Sequence, residues 1–299
     1  MHITLRQLEV FVTIAQAGTL TRAAEQLHLT RSAASMALAE LEAQLNQPVF
    51  ERNKQRLSIN RFGEKLLPYA DDLLRRHKDI QLLTDPSQQF TGQLRIGVSN
   101  TIGNYTLPHL LAAFRKKTNH HNQTVTMGNS TDIFKALDHF QLDVGLVEST
   151  PNQNTLHHEI WQSDHLQVVA NKNHPLSQKK HASLAELSQH PWVVREPGSG
   201  VRSLFDQRIR NILKNCTIAL EFSSSEALVQ SVIAGIGLGY LSELSLKTPL
   251  KNKQLCILKT PIPTQRNLYL VWHKNKYIDP LLEHFIEYCR HYLISHNVK

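Results

Sequence analysis

Four cations, Arg52, Lys54, Arg56 and Arg61, fall within ten residues with no acid between them. Guanidinium and ammonium groups at that density suit a row of phosphates, although taken alone a solvated surface run explains them equally well. A second chemistry lies in short hydroxyl- and amide-rich segments: Ser99-Asn100-Thr101, Gly128-Asn129-Ser130-Thr131, Arg195-Glu196-Pro197-Gly198-Ser199-Gly200 and Ser223-Ser224-Ser225. The first three follow strand-like runs, and all four precede helical ones. Hydroxyls beside the unpaired N–H groups of a helix N-terminus hold compact anions. Singly, each Ser or Thr is more simply a helix N-cap. Four such segments gathered at the carboxyl ends of strands would be a binding cleft. Arg195 and Glu148 are the strongly charged side chains expected at strand ends there. The competing reading is an ion pair between them, or a surface pair.

Catalysis and cofactor chemistry find no such support. Gly235-Ile236-Gly237-Leu238-Gly239 follows a helix and precedes a strand, the reverse of the order a dinucleotide loop needs. The pairs His120-His121 and His157-His158 lack matching carboxylate or Cys partners, so surface histidines are expected and no metal site. No Ser/His/Asp or Cys/His arrangement has a recognisable context. The expectation is no enzyme, no cofactor and no metal.

The chain has 299 residues, 41% hydrophobic and 19% charged, enough for real cores and, at this length, for two domains. No apolar run approaches the roughly 18 residues of a membrane span, so no membrane partner is expected. The start, MHITLRQLEV, is polar throughout and does not read as a signal peptide. Three cysteines without C-x-x-C spacing favour a reducing, cytoplasmic setting. The net charge of +8 sits unevenly. Residues 1–89 hold 11 Lys/Arg against 10 Asp/Glu, and residues 90–299 hold 22 against 15. A nucleic-acid reading of the first segment must therefore rest on local clustering, not on bulk charge.

That clustering has a frame. Leu5, Leu8, Phe11, Val12 and Ala15 recur at helical steps until Gly18. Thr19 is placed to cap a second helix to Leu27, with small Ala23 and Ala24 where helices cross. His28-Leu29-Thr30 is a tight break before a third helix, Arg31 to about Leu45, whose first turn carries Arg31, Ser32 and Ser35. Two short alternating stretches, Val49–Arg52 and Arg56–Ile59, flank the cations as a β-hairpin wing. A polar-nosed third helix enters a major groove while a basic wing straddles the adjacent phosphates. From Arg61 a long helix carries Phe62, Leu66, Tyr69, Leu73, Ile80 and Leu83 in a heptad stripe, interrupted by Arg76 and with Pro68 near its start. The stripe is expected to make a homodimer, packing on its own domain being the alternative. Asp85–Gln89 reads as a linker.

Beyond the linker, strands and helices alternate. Strands are expected at Leu94–Ser99, Gln123–Met127, Val144–Val147, Leu166–Ala170, Trp192–Arg195 and Leu268–Trp272. Helices are expected near Thr106–Lys117, Ile133–Phe140, Val201–Leu213, Ser225–Ala234 and Asp279–Leu293. That alternation predicts an α/β architecture with a parallel sheet.

Residues 4–64 resemble the winged helix-turn-helix of LysR-type transcriptional regulators. The marks are Arg6-Gln7-Leu8, Phe11, Thr19, Ala23-Ala24, Leu27, Ser32, Ser35, Leu38, Leu41-Glu42, Leu45, Phe50-Glu51-Arg52 and Gly63. The remainder is similar to that family's effector domain, a periplasmic-binding-protein-like fold. The resemblance implies DNA binding at 1–60, a linker and dimerisation helix at 61–89 and an effector domain at 90–299. That domain divides into subdomain I, about 90–162 and 268–299, and subdomain II, about 163–267. It implies double-stranded promoter DNA, a small effector, a homodimer or homotetramer, and RNA polymerase as a further partner. Arg22 and Thr30 join Arg31, Ser32, Ser35, Arg52, Lys54 and Arg56 as the DNA-facing set. Ser99, Asn100, Thr101, Asn129, Ser130, Glu148, Arg195 and Ser199 form the effector set. Two departures stand out: Arg31 where the family often has Gln, which favours guanine over adenine, and Val201 where it often has Thr. A sulfur-metabolism-linked subgroup, the YeiE-like regulators, is similar at Met1–Leu5, Thr101–Tyr105, Gly128–Ser130 and Ser225–Ala227, which implies a small sulfur oxyanion such as sulfite. Two other classes compete: a stand-alone solute-binding protein, and a small-molecule enzyme whose only support is the misplaced glycine run.

Overall fold

The computed structural model describes residues 2–53, 56–82, 90, 92–213 and 215–292. Three helices open the chain: α1 (Leu5–Ala17), α2 (Leu20–Gln26) and α3 (Arg31–Leu45). Their ends are written locally. Thr4 and Gln7 form a reciprocal capping box on α1, and Gly18 stops it in the left-handed region at φ 72°. Thr19 caps α2 and Thr30 caps α3, each through its hydroxyl. The wing is the antiparallel pair β1 (Phe50–Asn53) and β2 (Arg56–Ile59). Phe11, Ile14, Ala23, Ala34, Leu41 and Val49 bury completely in the core beneath it.

α4 (Arg61–Leu82) runs unbroken through Pro68. Its apolar residues divide between two faces. Leu67 and Ala70 are buried, and half-buried Phe62 and Leu66 pack on the N-terminal core. Tyr69, Leu73 and Ile80 remain exposed at 70%, 50% and 61%. The expected free stripe therefore narrows to these three, because its first two members lean on their own domain; Leu83 lies outside the described residues. Arg76, its polar interruption, pairs with Asp72 and lies 4.3 Å over the ring of Tyr277.

The rest of the chain builds one sheet. In order come β3 (Leu94–Ser99), α5 (Asn100–Tyr105), α6 (Leu107–Thr118), β4 (Gln123–Gly128), α7 (Ser130–Asp138), β5 (Val144–Val147) and β6 (Leu156–Asn171). Then follow α8 (Leu184–Leu187), β7 (Trp192–Arg195), α9 (Gly200–Phe205), β8 (Ile218–Phe222), α10 (Ser225–Ile233), β9 (Leu238–Ser242), α11 (Glu243–Lys251), β10 (Leu255–Ile257), β11 (Gln265–His273) and α12 (Pro280–His291).

The sheet is mixed, which corrects the all-parallel expectation. β4-β3-β5 and β9-β7-β8 are parallel sets, and antiparallel β11 and β6 run between them. β6 is three times longer than expected. The ten residues ahead of the expected strand include His157, His158, Glu159, Gln162, Asp164 and His165, so apolar alternation could not reveal them. Two helices also differ. The one expected over Thr106–Lys117 is α6, preceded by the short α5 and a break at Thr106. The one expected over Val201–Leu213 is α9 followed by a π-helical turn, Asp206–Arg210. Each parallel set has its own core, one around Ile96, Phe114, Leu268 and Phe285, the other around Trp192, Phe205 and Leu238. We call these the first and second lobes. Among the described residues no helix is long and apolar enough to cross a membrane.

Candidate effector cleft and DNA-facing surface

The N-terminal helices turn one polar end outward. Arg22, Arg31, Ser32 and Ser35 are all exposed. The Thr30 hydroxyl is already used: it accepts from the Ala33 N–H and lies 3.0 Å from the Ser32 hydroxyl. Thr30 thus shapes the first turn of α3. Met36, 63% exposed beside this group, escaped the sequence reading because it looked like one more apolar residue. Its thioether is suited to a thymine methyl, whose apolar contacts help read the major groove. Arg52 and Arg56 stand on the two strands of the wing, and Lys54 falls outside the described residues.

The second site lies where the lobes meet. Ser99 closes β3 and stands at the N-terminus of α5, yet its hydroxyl makes no capping bond and donates instead to Glu148 Oε1 at 3.1 Å. Thr101 also hydrogen-bonds the Glu148 carboxylate. The other carboxylate oxygen receives the Arg266 guanidinium at 3.1 Å, and Arg266 reaches on to Asp164, itself held by Ser242. Burial alone would push Glu148 up. The Arg266 charge, the Thr101 bond, the Arg195 charge and the Ser99 bond outweigh it and hold the carboxyl below the ordinary range.

Across the cleft, Ser199 stands at the N-terminus of α9 without a capping bond, and Gly200 abuts Glu148 so closely that a Cβ there would lie 2.7 Å from the Glu148 Cβ. Asn129 spends its amide oxygen capping α7 through Asp132 N–H, and Asn100 donates to the Gly128 carbonyl. Ser130, 1% exposed at the start of α7, has a buried hydroxyl with no partner among the described residues. The lobes touch at two further points. Thr131 donates through N–H and hydroxyl to the Gly198 carbonyl at 3.3 and 3.4 Å, and the Tyr105 hydroxyl donates to Glu226 at 2.7 Å. The cleft is shut: Ser99, Thr101, Ser130, Glu148, Arg195 and Ser199 are each no more than 3% exposed. Beside the Glu148–Arg266 pair a cavity of about 380 Å³ remains, walled by Leu204, Arg208, Asn267 and Tyr269.

Arg195 does not meet Glu148. Its guanidinium binds Glu196, the Ser225 hydroxyl and the Ser223 carbonyl, which ties the end of β7 to the start of α10. Both pairings weighed from sequence give way here: the cation opposite Glu148 is Arg266. Sequence reasoning passed over Arg266 and Asp164, which sit within strands and not at their ends. Both lie just outside the strands expected from sequence, Leu166–Ala170 and Leu268–Trp272, so no pattern marked them. Among the described residues no cluster of three or more His, Cys, Asp or Glu is arranged to hold a metal.

A winged helix-turn-helix on a long helix, joined to a two-lobed α/β domain with a hydroxyl-lined cleft, defines a transcriptional regulator with an effector-binding domain. Comparisons with known proteins give the family. Residues 5–64 match the bacterial regulatory helix-turn-helix of the lysR family, and residues 87–293 match the LysR substrate binding domain. The chain belongs to the LysR family of transcriptional regulators. It is 35% identical over 290 residues to YeiE, an uncharacterized HTH-type transcriptional regulator of Escherichia coli (strain K12), covering 97% of this chain and 98% of that one. Full-length OxyR from Pseudomonas aeruginosa shares the fold, with a TM-score of 0.74 at 20% identity over 97% of this chain and 98% of that one. The regulatory domain of CcmR from Synechocystis PCC6803, solved in complex with 2-PG, is similar over 67% of this chain and 96% of that one, with 25% identity and a TM-score of 0.63.

Proposed function

We propose that this regulator binds promoter DNA through α3 and the wing, assembles through the exposed stripe of α4, and reads a small oxyanion that keeps a proton. Arg31, Ser32, Ser35 and Met36 face the bases, with Arg22, Arg52, Lys54 and Arg56 toward phosphates. Tyr69, Leu73 and Ile80 pair with a second copy, which sets two recognition helices on two half-sites. The setting is the cytoplasm, with RNA polymerase as the machinery such a regulator addresses.

The observation that carries the effector reading is the buried, partnerless hydroxyl of Ser130 at the N-terminus of α7, between Asn129 and Thr131 where the lobes meet. A buried hydroxyl without a partner forfeits a hydrogen bond that a ligand oxygen would restore. Ser99, Thr101 and Ser199 add hydroxyls, and the CcmR domain with 2-PG is a related domain holding a small ligand. The charge count refines the ligand. Arg195, Arg266 and, on the cavity wall, Arg208 stand against Glu148, Asp164 and Glu196, three cations to three carboxylates, so the positive excess of the effector domain does not lie in the cleft. Glu148 already accepts from Ser99, Thr101 and Arg266, which leaves about one of its roughly four acceptor positions for a ligand O–H. A fully ionised dianion would be repelled there; hydrogensulfite or a comparable proton-bearing oxyanion fits. Arg195 acts indirectly, by positioning Ser225 and α10.

Thermal-shift titrations with sulfite, sulfate, thiosulfate and small carboxylates test this on wild type and Ser130→Ala. A ligand at a hundredfold excess over its dissociation constant adds about 2.7 kcal/mol of stability. Sulfite is expected to raise the melting temperature more than sulfate does, and less in the variant. A rise with an uncharged metabolite and none with any anion would overturn the reading.

A further inference from the structure

α4 does not hang free of the effector domain. Its Arg75 reaches Asp143 and Asp279 in the first lobe as well as Asp71 one turn away on the same helix. Lys276 reaches back to Asp71 at 2.7 Å and to Asp143 at 3.0 Å. Arg95 closes the group with 2.7 Å to Asp143 and 3.8 Å to Asp71. Three cations meet three carboxylates, and the side chains of Asp143 and Lys276 are wholly buried. An apolar plug lies beside them. Phe140, from the turn after α7, is 1% exposed within the N-terminal core, and Gln16 and Gln141 exchange bonds with each other's neighbourhood through the carbonyls of Phe140 and Gln16.

The strands that bear this cluster also bear the cleft. β3 carries Arg95 near its start and Ser99 at its end. β5 follows Asp143 directly and leads directly into Glu148. Antiparallel β11 carries Arg266 near its start, and the chain reaches Lys276 three residues past its end. The three strands are immediate neighbours in the order β3-β5-β11. At about 3.3 Å per residue, Asp143 and Glu148 stand roughly 16 Å apart along one buried strand.

We infer that this six-residue cluster is a clamp through which the effector cleft sets the position of the DNA-binding arm. The inference rests on the cleft being the effector site. Each strand is a stiff link with a cleft group at one end and a clamp group at the other. A buried ion cluster tolerates no partial opening, because removing one partner strands an uncompensated charge. Packed cores of this kind switch between discrete arrangements and do not deform continuously. A ligand that pulls on Glu148 and Ser99 therefore shifts the balance between a clamped and a released α4.

Hydrogen exchange followed by mass spectrometry on the full-length chain tests the clamp without any ligand. Glu148→Gln alters only the cleft end, and Arg75→Lys keeps the charge but loses the fork that serves three carboxylates. Glu148→Gln is expected to raise exchange at least tenfold in the peptide 66–76 of α4, and Arg75→Lys to do the same in α5. The double variant is expected to raise exchange by less than the product of the two single effects, as coupled sites do. If Glu148→Gln raises exchange throughout the molecule, Ser99→Ala takes its place as the cleft-side change. Changes confined to the side of the sheet that carries the substitution overturn the clamp. The anion titrations are scored separately: exchange that crosses the sheet while no anion binds keeps the clamp and rejects the ligand class, and the converse rejects the clamp alone.

Discussion

Gly200→Ala places a single methyl group at the closest approach of the two lobes. Gly200 opens α9 with a φ outside the left-handed region, so alanine suits the backbone and raises local helix propensity by up to about 1 kcal/mol. The new Cβ would nevertheless lie 2.7 Å from the Glu148 Cβ and 2.8 Å from the Glu148 carbonyl oxygen. Carbon atoms rest at about 3.5–4.0 Å, so α9 and Glu148 must part by roughly 0.8 Å or more. Glu148 cannot yield easily, since it is pinned by Ser99, Thr101 and Arg266 at the end of a buried strand. The strain is released by opening the cleft, which the free protein accepts more readily than the ligand-bound one. Overpacking of this size costs about 1–3 kcal/mol. If the bound state bears that cost, effector affinity falls about 5- to 150-fold, at 1.4 kcal/mol per factor of ten. Calorimetric titration with the oxyanion that stabilises the wild type most measures it, alongside the melting temperature of the free variant. A variant with wild-type affinity would refute the claim that the closed cleft is the binding state.

Tyr105→Phe removes the bond to Glu226 that joins the lobes at the cleft mouth; titration is expected to show about tenfold weaker effector binding, the low end for a hydrogen bond to a charged group. Leu73→Lys puts a charge into the exposed stripe of α4, and analytical ultracentrifugation is expected to show weaker self-association with a parallel loss of DNA affinity; an unchanged oligomer moves the contact elsewhere. Arg31→Ala is expected to relax base preference at one operator position at a cost of about 1–3 kcal/mol, read from binding to a panel of single-base operator variants. The clamp also sets a pH dependence. Burial works against the charge on Asp143, but Lys276, Arg75 and Arg95 hold its carboxyl far below the ordinary carboxylate range. The unfolded chain therefore takes up the proton first, so this stability is full above the ordinary carboxylate range and drains away as pH falls below it. Urea unfolding from pH 6 to pH 3 is expected to show a shallower acid loss for Asp143→Asn than for wild type.

The N-terminal domain was legible because its signals are local. Thr19, Thr30 and Gly18 bound their helices by their own chemistry, and the inner faces follow a single helical period. Strands such as Val144–Val147 and Trp192–Arg195 were equally plain, being short buried runs of branched and aromatic residues. The first half of β6 was not: it pairs with β11, while β9 and β10 pair only from Leu166 onward, and its exposed His157, His158 and Ile160 leave no apolar alternation to read. The cleft was half visible. Hydroxyl-bearing helix starts can be read from sequence, so Ser99, Thr101, Ser130 and Ser199 could be placed at the helix starts where the lobes meet. Whether Glu148 faces Arg195 or Arg266 depends on strands 118 residues apart in sequence meeting in the sheet, which no spacing rule reports. The same holds for the Arg75 cluster, whose members come from α4, the two ends of the first lobe and the turn before α12.

Footprinting of the region upstream of the protein's own gene, with and without sulfite, tests the central claim most directly. The account predicts protection of two half-sites by the wild type, a sulfite-dependent change in that protection, and loss of the sulfite response alone in Ser130→Ala. Protection that sulfite leaves unaltered, or that Ser130→Ala alters identically to wild type when sulfite is added, would contradict it.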